Sequence, residues 1–296
     1  MCGIAGLFLK NKALEPELGA MLHRMLETLS DRGPDSAGFA VFGGGEADRI
    51  KATLRIAEGH HASVLSALEL QFRELHPVTR SNHVVISIPA DAYDRLPQAV
   101  ASLAPYVELV GAGARMELYK EVGLPGDVAK RFALSSMSGT HAIGHTRMAT
   151  ESAVTTNGAH PFSTGLDQCL VHNGSLSNHN AVRRTLKSEG LSFATDNDSE
   201  VAAGYLTWRM REGASLKEAL TQSLSDLDGF YTFVVATESG FAVLRDPVAC
   251  KPAVMAETDQ YVAFGSEYSA LAGLPGIDNA RVFEPEPATV YAWERN

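Results

Sequence analysis

The second residue of the chain is a cysteine, and an apolar segment over residues 3–8 follows it directly. Removal of Met1 would leave a thiol and a free α-amine on Cys2. A thiol has a reference pKa of about 8.5 and an α-amine one of about 7.7–8.0, so the amine can take the thiol proton and return it to a leaving group. The chain would then carry a nucleophile and its base at the start of a buried strand. Alternatively, the small second residue only permits removal of Met1, and Cys2 is an inert core residue.

Four further segments favour the nucleophile, and they occur in a fixed order. They are DRGPDSAG at 31–38, HTRMAT at 145–150, VHNGSL at 171–176 and TDNDSE at 195–200. With Cys2, they resemble the motifs of class II glutamine amidotransferases, in which an N-terminal cysteine hydrolyses glutamine to glutamate and ammonia. The resemblance extends to residues 245–247 and 265–267, close to the end of the chain.

The resemblance implies the N-terminal nucleophile hydrolase fold, an α+β four-layer α-β-β-α sandwich, for residues 2–296. Apolar spacing agrees with it. The spacing predicts helices over 18–29, after Asn178, over 199–211 and over 216–224, and strands over 4–8, 39–42, 230–236, 241–244, 261–264 and 289–293. The glycines at 43–45 are interpreted as a hairpin turn, because a phosphate-binding loop would need a lysine and a helix after it.

Residues 53–113 lie between the 31–38 motif and the 145–150 motif, which carries Arg147. The distance along the chain between these two motifs is longer than is common in the family. Helix patterns over 62–75 and 92–103 flank a strand pattern over 83–88. A structureless loop of this length is uncommon, so the stretch predicts a small inserted α/β lobe. The lobe is either a decoration or a docking surface for another subunit, and the sequence leaves both open.

Glutamine hydrolysis requires that the α-carboxylate and α-ammonium groups of glutamine are held while the γ-amide meets the thiolate. The guanidinium of Arg147 suits the carboxylate, because it donates two parallel hydrogen bonds. Asp198 suits the ammonium group, since the resemblance implies the acid directly before Ser-Glu; Asp196 is the alternative. The resemblance also implies Arg32, Gly33 and Thr150 in the glutamine pocket.

Attack on the amide places negative charge on its oxygen, and hydrogen-bond donors must be aimed at that oxygen. The side-chain amide of Asn173 and the backbone N–H of Gly174 fit this role. Asn-Gly is also a strong turn signal, and both interpretations can hold together.

Two residues beside Arg147 depart from the commoner family pattern. Met148 stands where an aromatic residue is frequent, and Glu151 where a histidine often follows the threonine. These departures concern the loop that closes over glutamine. A methionine could still cover the bound glutamine as an adaptable apolar lid.

Composition narrows the remaining possibilities. The net charge of the 296 residues is −10, which disfavours nucleic-acid binding because that needs a clustered basic surface. The absence of an apolar run of roughly 18 residues and of a leader pattern predicts a cytoplasmic protein. The widely spaced Cys2, Cys169 and Cys250 and the scattered histidines predict neither disulfides nor a metal site.

The sequence shows no segment for ammonia-using chemistry after the glutaminase domain, so we expect the ammonia acceptor site on another polypeptide. The Thr-Glu-Ser sequence at 150–152 and the lobe resemble the separate amidotransferase subunit of glutamate-synthase-like complexes, N-methylglutamate synthase included. This resemblance implies L-glutamine as substrate and channelling of ammonia within a hetero-oligomer. It implies no cofactor on this chain, with FMN and an iron–sulfur cluster on the partner subunits. A glutamine-binding regulatory subunit and a free-standing γ-glutamyl amide hydrolase are the alternatives.

Overall fold

The computed structural model describes residues 2–149 and 153–295. Its strands form three sheets in which neighbouring strands are antiparallel. The strands are β1 (Gly3–Leu9), β2 (Ser36–Phe42), β3 (Arg49–Ile56), β4 (His76–Arg80), β5 (His83–Pro89), β6 (Val107–Gly113), β7 (Met116–Val122), β8 (His141–Arg147), β9 (Phe162–Gly165), β10 (Gln168–Leu176), β11 (Gly229–Thr237), β12 (Gly240–Arg245), β13 (Val254–Glu257), β14 (Tyr261–Gly265), β15 (Arg281–Phe283) and β16 (Val290–Glu294).

The α-helices cover the outer faces of the sheets, and short 3₁₀ turns link several elements. The helices are α1 (Leu18–Thr28), α2 (His61–Glu69), α3 (Leu96–Ser102), α4 (Pro125–Arg131), α5 (His179–Ser188), α6 (Asp198–Arg211) and α7 (Leu216–Asp226).

Two sheets pack face to face in the centre of the molecule. The seven-stranded sheet has the order β15-β13-β14-β1-β8-β2-β7, and the five-stranded sheet has the order β16-β12-β11-β10-β9. One buried cluster fills the space between them, with Ile4 and Phe8 from β1 and Val171 and Val234 from the other sheet. Such interlocking of two apolar faces is the main stabilising contribution in a sandwich.

The outer layers are helical. The apolar face of α1 packs on the seven-stranded sheet, and Met21, Leu22 and Met25 are buried there at helical spacing. Helices α5, α6 and α7 pack on the five-stranded sheet around a second cluster. The resulting order of helix, sheet, sheet and helix confirms the predicted α+β sandwich, and the helix predicted over 18–29 is confirmed to within one residue.

The third sheet, with the order β4-β5-β3-β6, belongs to a lobe with its own core, which includes residues of α2 and α3. This sheet begins at Arg49, before the predicted boundary at residue 53. Asp167 fastens the lobe to the sandwich, because its carboxylate accepts backbone N–H bonds from Ala114 (2.6 Å), Arg115 (3.0 Å) and Met116 (3.0 Å). The turn between β6 and β7, where the lobe joins the sandwich, is therefore held by three hydrogen bonds.

Two predictions about this region are wrong. The glycines at 43–45 do not form a hairpin, because β2 and β3 belong to different sheets and the glycine segment crosses between them. The helix predicted over 62–75 ends at Glu69, and Phe72 and Leu75 enter the lobe core from irregular backbone. Strand β4 was not predicted; it carries Pro77 and lies exposed at a sheet edge, so it shows no apolar alternation.

Candidate active site

Cys2 immediately precedes β1, which is paired on one side with β8 and on the other with β14. Gly3 faces Thr146 in the β1–β8 register, so Cys2 and Arg147 lie at the same end of neighbouring strands. The Cys2 side chain is half-buried, and its Sγ lies 3.9 Å from the carbonyl oxygen of Met148. Cys2 therefore lies, partly exposed, at the end of a central strand of the seven-stranded sheet.

The backbone of Cys2 is held by two side chains. Its carbonyl oxygen accepts hydrogen bonds from Arg32 Nε (3.2 Å) and from Asn173 Nδ2 (3.3 Å). Arg32 is itself fixed by Glu267, with 3.0 Å between Nη1 and Oε2. Because Arg32 follows α1 and Asn173 lies on β10, separate layers of the sandwich converge on the predicted nucleophile.

Two glycines allow this convergence. A Cβ atom on Gly33 would lie 2.3 Å from the carbonyl carbon of Thr146, so only glycine lets the turn after α1 approach β8 beside Arg147. Gly174 has φ of 151°, and a Cβ there would lie 2.0 Å from the carbonyl oxygen of Phe230. Both predicted site glycines are thus required by backbone packing.

Arg147 is the last residue of β8, and only 5% of its surface is exposed. Its Nη1 donates to the carbonyl oxygen of Ala153 over 3.3 Å. Asp35 fixes the backbone on both sides of Met148: its N–H donates to the Arg147 carbonyl (3.1 Å), and its Oδ2 accepts from the Ala149 N–H (2.8 Å). Arg147 is thereby positioned beside the residue 153–161 segment.

Asp198 is the first residue of α6, and its Oδ2 accepts a hydrogen bond from the N–H of Leu176, at the end of β10 (2.9 Å). This bond places the carboxylate at the end of the strand that carries Asn173 and Gly174. The alternative acid, Asp196, lies exposed in the preceding loop. Thr150 and Glu151, the two remaining residues named for the pocket and its loop, lie outside the described residues.

Three buried histidines, His145, His160 and His172, lie close to these residues, and no role was predicted for them from the sequence. His145 Nε2 lies 3.1 Å from the carbonyl oxygen of His172, and the His145 ring stacks on His160 with 4.1 Å between centroids. Burial lowers the pKa of His145 to about 3. It also lowers the pKa of His160 and of His172, although Asp198 opposes the shift at His172.

Burial therefore favours the neutral form of all three rings. His172 also contacts the acidic side of the site, since its Nδ1 lies 2.8 Å from Ser199 Oγ and 3.8 Å from Asp198 Oδ1. The only available sequence signal was position, because His145 and His172 lie inside the motifs that carry Arg147 and Asn173.

The structure thus links Cys2, Arg32 and Asn173 by direct hydrogen bonds and places Gly33 against the strand of Arg147. Gly174 and Asp198 adjoin this group through β10. Over residues 2–149 and 153–295, no group of three or more His, Cys, Asp or Glu side chains is arranged to hold a metal ion. Within the same residues, no helix is both long and apolar enough to cross a bilayer.

Comparison with known proteins identifies relatives of the whole chain. A family model described as a glutamine amidotransferase domain matches residues 145–273. Glutamine amidotransferase-like protein GlxB of Rhizobium meliloti (strain 1021) is 58% identical over 296 residues, which cover 99% of this chain and 98% of that protein.

Two solved structures share the fold at 21% identity each, with 99% of this chain covered. Glutamine phosphoribosylpyrophosphate amidotransferase from B. subtilis, complexed with ADP and GMP, aligns with a TM-score of 0.62 over 49% of its chain. The allosteric regulatory enzyme of purine biosynthesis aligns with a TM-score of 0.65 over 47% of its chain. This chain spans about half of each solved chain. With the full-length relative, these likenesses show that the chain belongs to the class II glutamine amidotransferases, enzymes of the N-terminal nucleophile hydrolase fold with glutaminase activity.

Proposed function

We propose that this chain is a glutaminase subunit that hydrolyses L-glutamine through a Cys2 thioester and delivers the ammonia to a separate synthase subunit. The observation that carries the proposal is the pair of hydrogen bonds to the Cys2 carbonyl oxygen, which fix this partly exposed residue at the end of β1, beside the strand that carries Arg147. A nucleophile held in this way needs no rearrangement before attack.

In the proposed cycle, Arg147 binds the α-carboxylate of glutamine and Asp198 binds its α-ammonium group. The Cys2 sulfur, having passed its proton to its own α-amine, attacks the γ-carbonyl carbon. Asn173 and Gly174 stabilise the oxyanion. The C–N bond then breaks, the leaving nitrogen takes the proton and departs as ammonia, and a glutamyl thioester remains.

Water completes the cycle. The α-amine accepts a proton from a water molecule, the oxygen attacks the thioester carbon, and the C–S bond breaks. The products are glutamate and the regenerated thiol. Each half of the cycle uses one base, the amine exposed by removal of Met1.

We propose a glutamate-synthase-like acceptor, with N-methylglutamate synthase as the specific candidate. Its support is the sequence resemblance around residues 150–152 and the inserted lobe, which the structure describes as a folded unit. FMN and an iron–sulfur cluster would belong to the partner subunits. Channelling would keep the ammonia from protonation and escape.

The first test measures glutamate and ammonia release from glutamine by the purified chain, once intact mass shows that Met1 is absent. Cys2→Ala should abolish release, and Cys250→Ala, which removes an exposed cysteine elsewhere, should not. Release that survives in Cys2→Ala would refute the thioester mechanism.

The same assay separates the alternatives. If the processed chain releases nothing, labelling of Cys2 by 6-diazo-5-oxonorleucine distinguishes a silent glutaminase from a regulatory subunit that does not react. Faster hydrolysis of another γ-glutamyl amide than of glutamine would favour the free-standing hydrolase. A partner synthase that forms product from glutamine only with this subunit, but from ammonia without it, would support delivery.

A further inference from the structure

A cleft of about 730 Å³ lies where the lobe meets α4, and Cys2 and Arg147 are not among its lining residues. Its walls include the end of β3, the turn between β4 and β5, the start of β6 and the last residue of α4. A cavity of this size accommodates a small metabolite.

The cleft is lined by hydrogen-bond donors, and only some of their N–H groups are bonded to acceptors of the protein. Arg55 donates from Nε and Nη2 to Glu108 (3.2 and 2.6 Å), and Arg131 donates from Nε to Ser81 Oγ (2.8 Å). Over residues 2–149 and 153–295, the hydrogen bonds of Arg55 use only Nε and Nη2 and that of Arg131 uses only Nε, and the buried His61 Nε2 has no partner. Guanidinium groups with spare N–H donors match the oxygens of a carboxylate or a phosphate.

The cleft also carries two carboxylates. Glu108 forms an ion pair with Arg55, with 2.6 Å between Oε2 and Nη2, which leaves Arg55 Nη1 as the spare donor, and the Glu58 side chain is exposed to solvent. Arg131 lies 3.8 Å from Glu121, whose carboxylate is already bonded to Asn82, Thr156 and the N–H of Val122.

The same residues hold the segment beside the glutamine site. Asn157 links the 153–161 segment to the lobe, since its Oδ1 accepts from Arg55 Nη2 (3.0 Å) and its Nδ2 donates to Glu108 Oε1 (3.2 Å). Asn157 belongs to the 153–161 segment, and Ala153 at the start of that segment accepts the hydrogen bond from Arg147 Nη1.

A second connection runs through Asn82, another cleft residue. Its Nδ2 donates to Glu121 Oε2 over 2.7 Å, and the other oxygen of Glu121 accepts from Thr156. Lys120, next to Glu121, donates to the carbonyl oxygens of Asn157 (3.2 Å) and Ala159 (2.9 Å). Two sets of polar contacts therefore connect the cleft to the 153–161 segment beside Arg147.

We propose that the lobe cleft binds a small metabolite bearing a carboxylate or phosphate group, and that this binding tightens the 153–161 segment and lowers the KM for glutamine. An anion on Arg55 Nη1 would leave the Nη2 bond to Asn157 in place and hold the Arg55 side chain in that position. The site rests on its own contacts. Only its effect on glutamine rests on the proposed role of Arg147.

The binding test uses calorimetry on the processed full chain, with citrate and inorganic phosphate as probes at constant ionic strength. Arg131→Gln should weaken binding at least tenfold. Lys130→Gln, which removes the same charge outside the cleft, should leave it unchanged. Arg131→Lys keeps the charge and should bind with intermediate affinity.

Binding of one probe alone would assign the carboxylate or the phosphate class, and binding of both would indicate their shared chemistry. Failure of both probes to bind, or an equal loss of affinity in Arg131→Gln and Lys130→Gln, would overturn the site. This readout needs no turnover, so it remains informative if the chain shows no glutaminase activity.

The coupling test compares the glutamine KM, and the rate of Cys2 labelling by 6-diazo-5-oxonorleucine, with and without a bound probe. We expect about a fivefold effect, at the low end of allosteric couplings. In Asn157→Ala the probe should still bind, and both effects should vanish. Effects of full size in that variant would refute the connection.

Discussion

Asn173 Nδ2 donates a hydrogen bond to the carbonyl oxygen of Cys2 over 3.3 Å. Asn173 lies on the five-stranded sheet, and Cys2 precedes the central β1 strand of the seven-stranded sheet. The bond therefore connects the two halves of the sandwich at the site. Because an amide nitrogen carries two hydrogens, the second can be directed at the developing oxyanion.

Replacement of Asn173 by Ala should lower kcat for glutamine by about 10²–10³ while the KM changes little, because the lost donor acts mainly in the transition state. Steady-state kinetics measure this, and Asn279→Ala, at an exposed position, is the control. A rise in KM at constant kcat would argue that Asn173 binds the ground state instead.

Replacement of Arg147 by Lys should raise the glutamine KM at least tenfold, since an ammonium cannot donate two parallel hydrogen bonds to a carboxylate. The buried Arg147 side chain leaves little room for compensation. Exposed Arg184→Lys serves as the matched control. An unchanged KM in Arg147→Lys would remove Arg147 from the carboxylate site.

Asp198→Asn tests the choice between the two acids of the TDNDSE segment. The amide oxygen can still accept the Leu176 N–H bond, so the fold should persist while the attraction for the substrate ammonium group is lost. We expect the KM to rise at least tenfold in Asp198→Asn and to change less than twofold in Asp196→Asn. The reverse ranking would identify Asp196 as the ammonium partner.

Ala249→Gly should stabilise the protein. Ala249 has φ of 50°, where an L side chain is unfavourable, and its carbonyl oxygen accepts a bond from Arg245 Nη2 that fixes this conformation. Part of the gain is offset by the greater freedom of glycine in the unfolded chain. The net gain should be about 0.5–1 kcal/mol, measured by denaturant unfolding. Ala272→Gly, at an exposed position without positive φ, should be destabilising instead.

Acid should destabilise the protein through its buried histidines. Burial lowers the pKa of His141 to about 3, although a bond to the Thr237 carbonyl partly opposes the shift. Between pH 6.5 and 3 the unfolded chain therefore binds a proton that the native chain does not, and stability falls as the pH falls.

His141→Gln should make the free energy of unfolding less dependent on pH near pH 5, by about 1.4 kcal/mol per pH unit, the value for one proton. Urea unfolding at several pH values measures this slope. His76→Gln should not alter it, because that side chain is exposed in the native state. Equal slopes in wild type and His141→Gln would contradict the neutral buried ring.

Local patterns predicted the parts of the fold that repeat along the chain. The spacing of Met21, Leu22 and Met25 predicted α1 because one helix face is buried. Local patterns did not predict the register of the strands. The pairing of Gly3 with Thr146 joins segments that are distant in sequence, and no local pattern specifies it. The lobe was predicted only in outline, since β4 places most of its side chains in solvent.

The motifs named the site residues, but not how they are connected. Cys2, Arg32 and Asn173 were predicted from separate segments, and the structure joins them at the Cys2 carbonyl. Every residue has a backbone carbonyl oxygen, so the residue types in the sequence do not indicate which carbonyl accepts these hydrogen bonds. His172 was overlooked for a related reason, because its contact with Ser199 arises only when α6 packs on β10. The catalytic and binding roles themselves stay predictions.

Strand β1 has paired neighbours along both edges, whereas the 153–161 segment is secured largely by side chains from β7 and the lobe. Amide hydrogens of Gly3–Leu9 should therefore exchange with solvent only when the whole sandwich opens, and those of the segment at much lower free energy. The nucleophile would then stay fixed through every opening that admits glutamine or releases glutamate. Only the side of the proposed site that adjoins Arg147 would move during turnover.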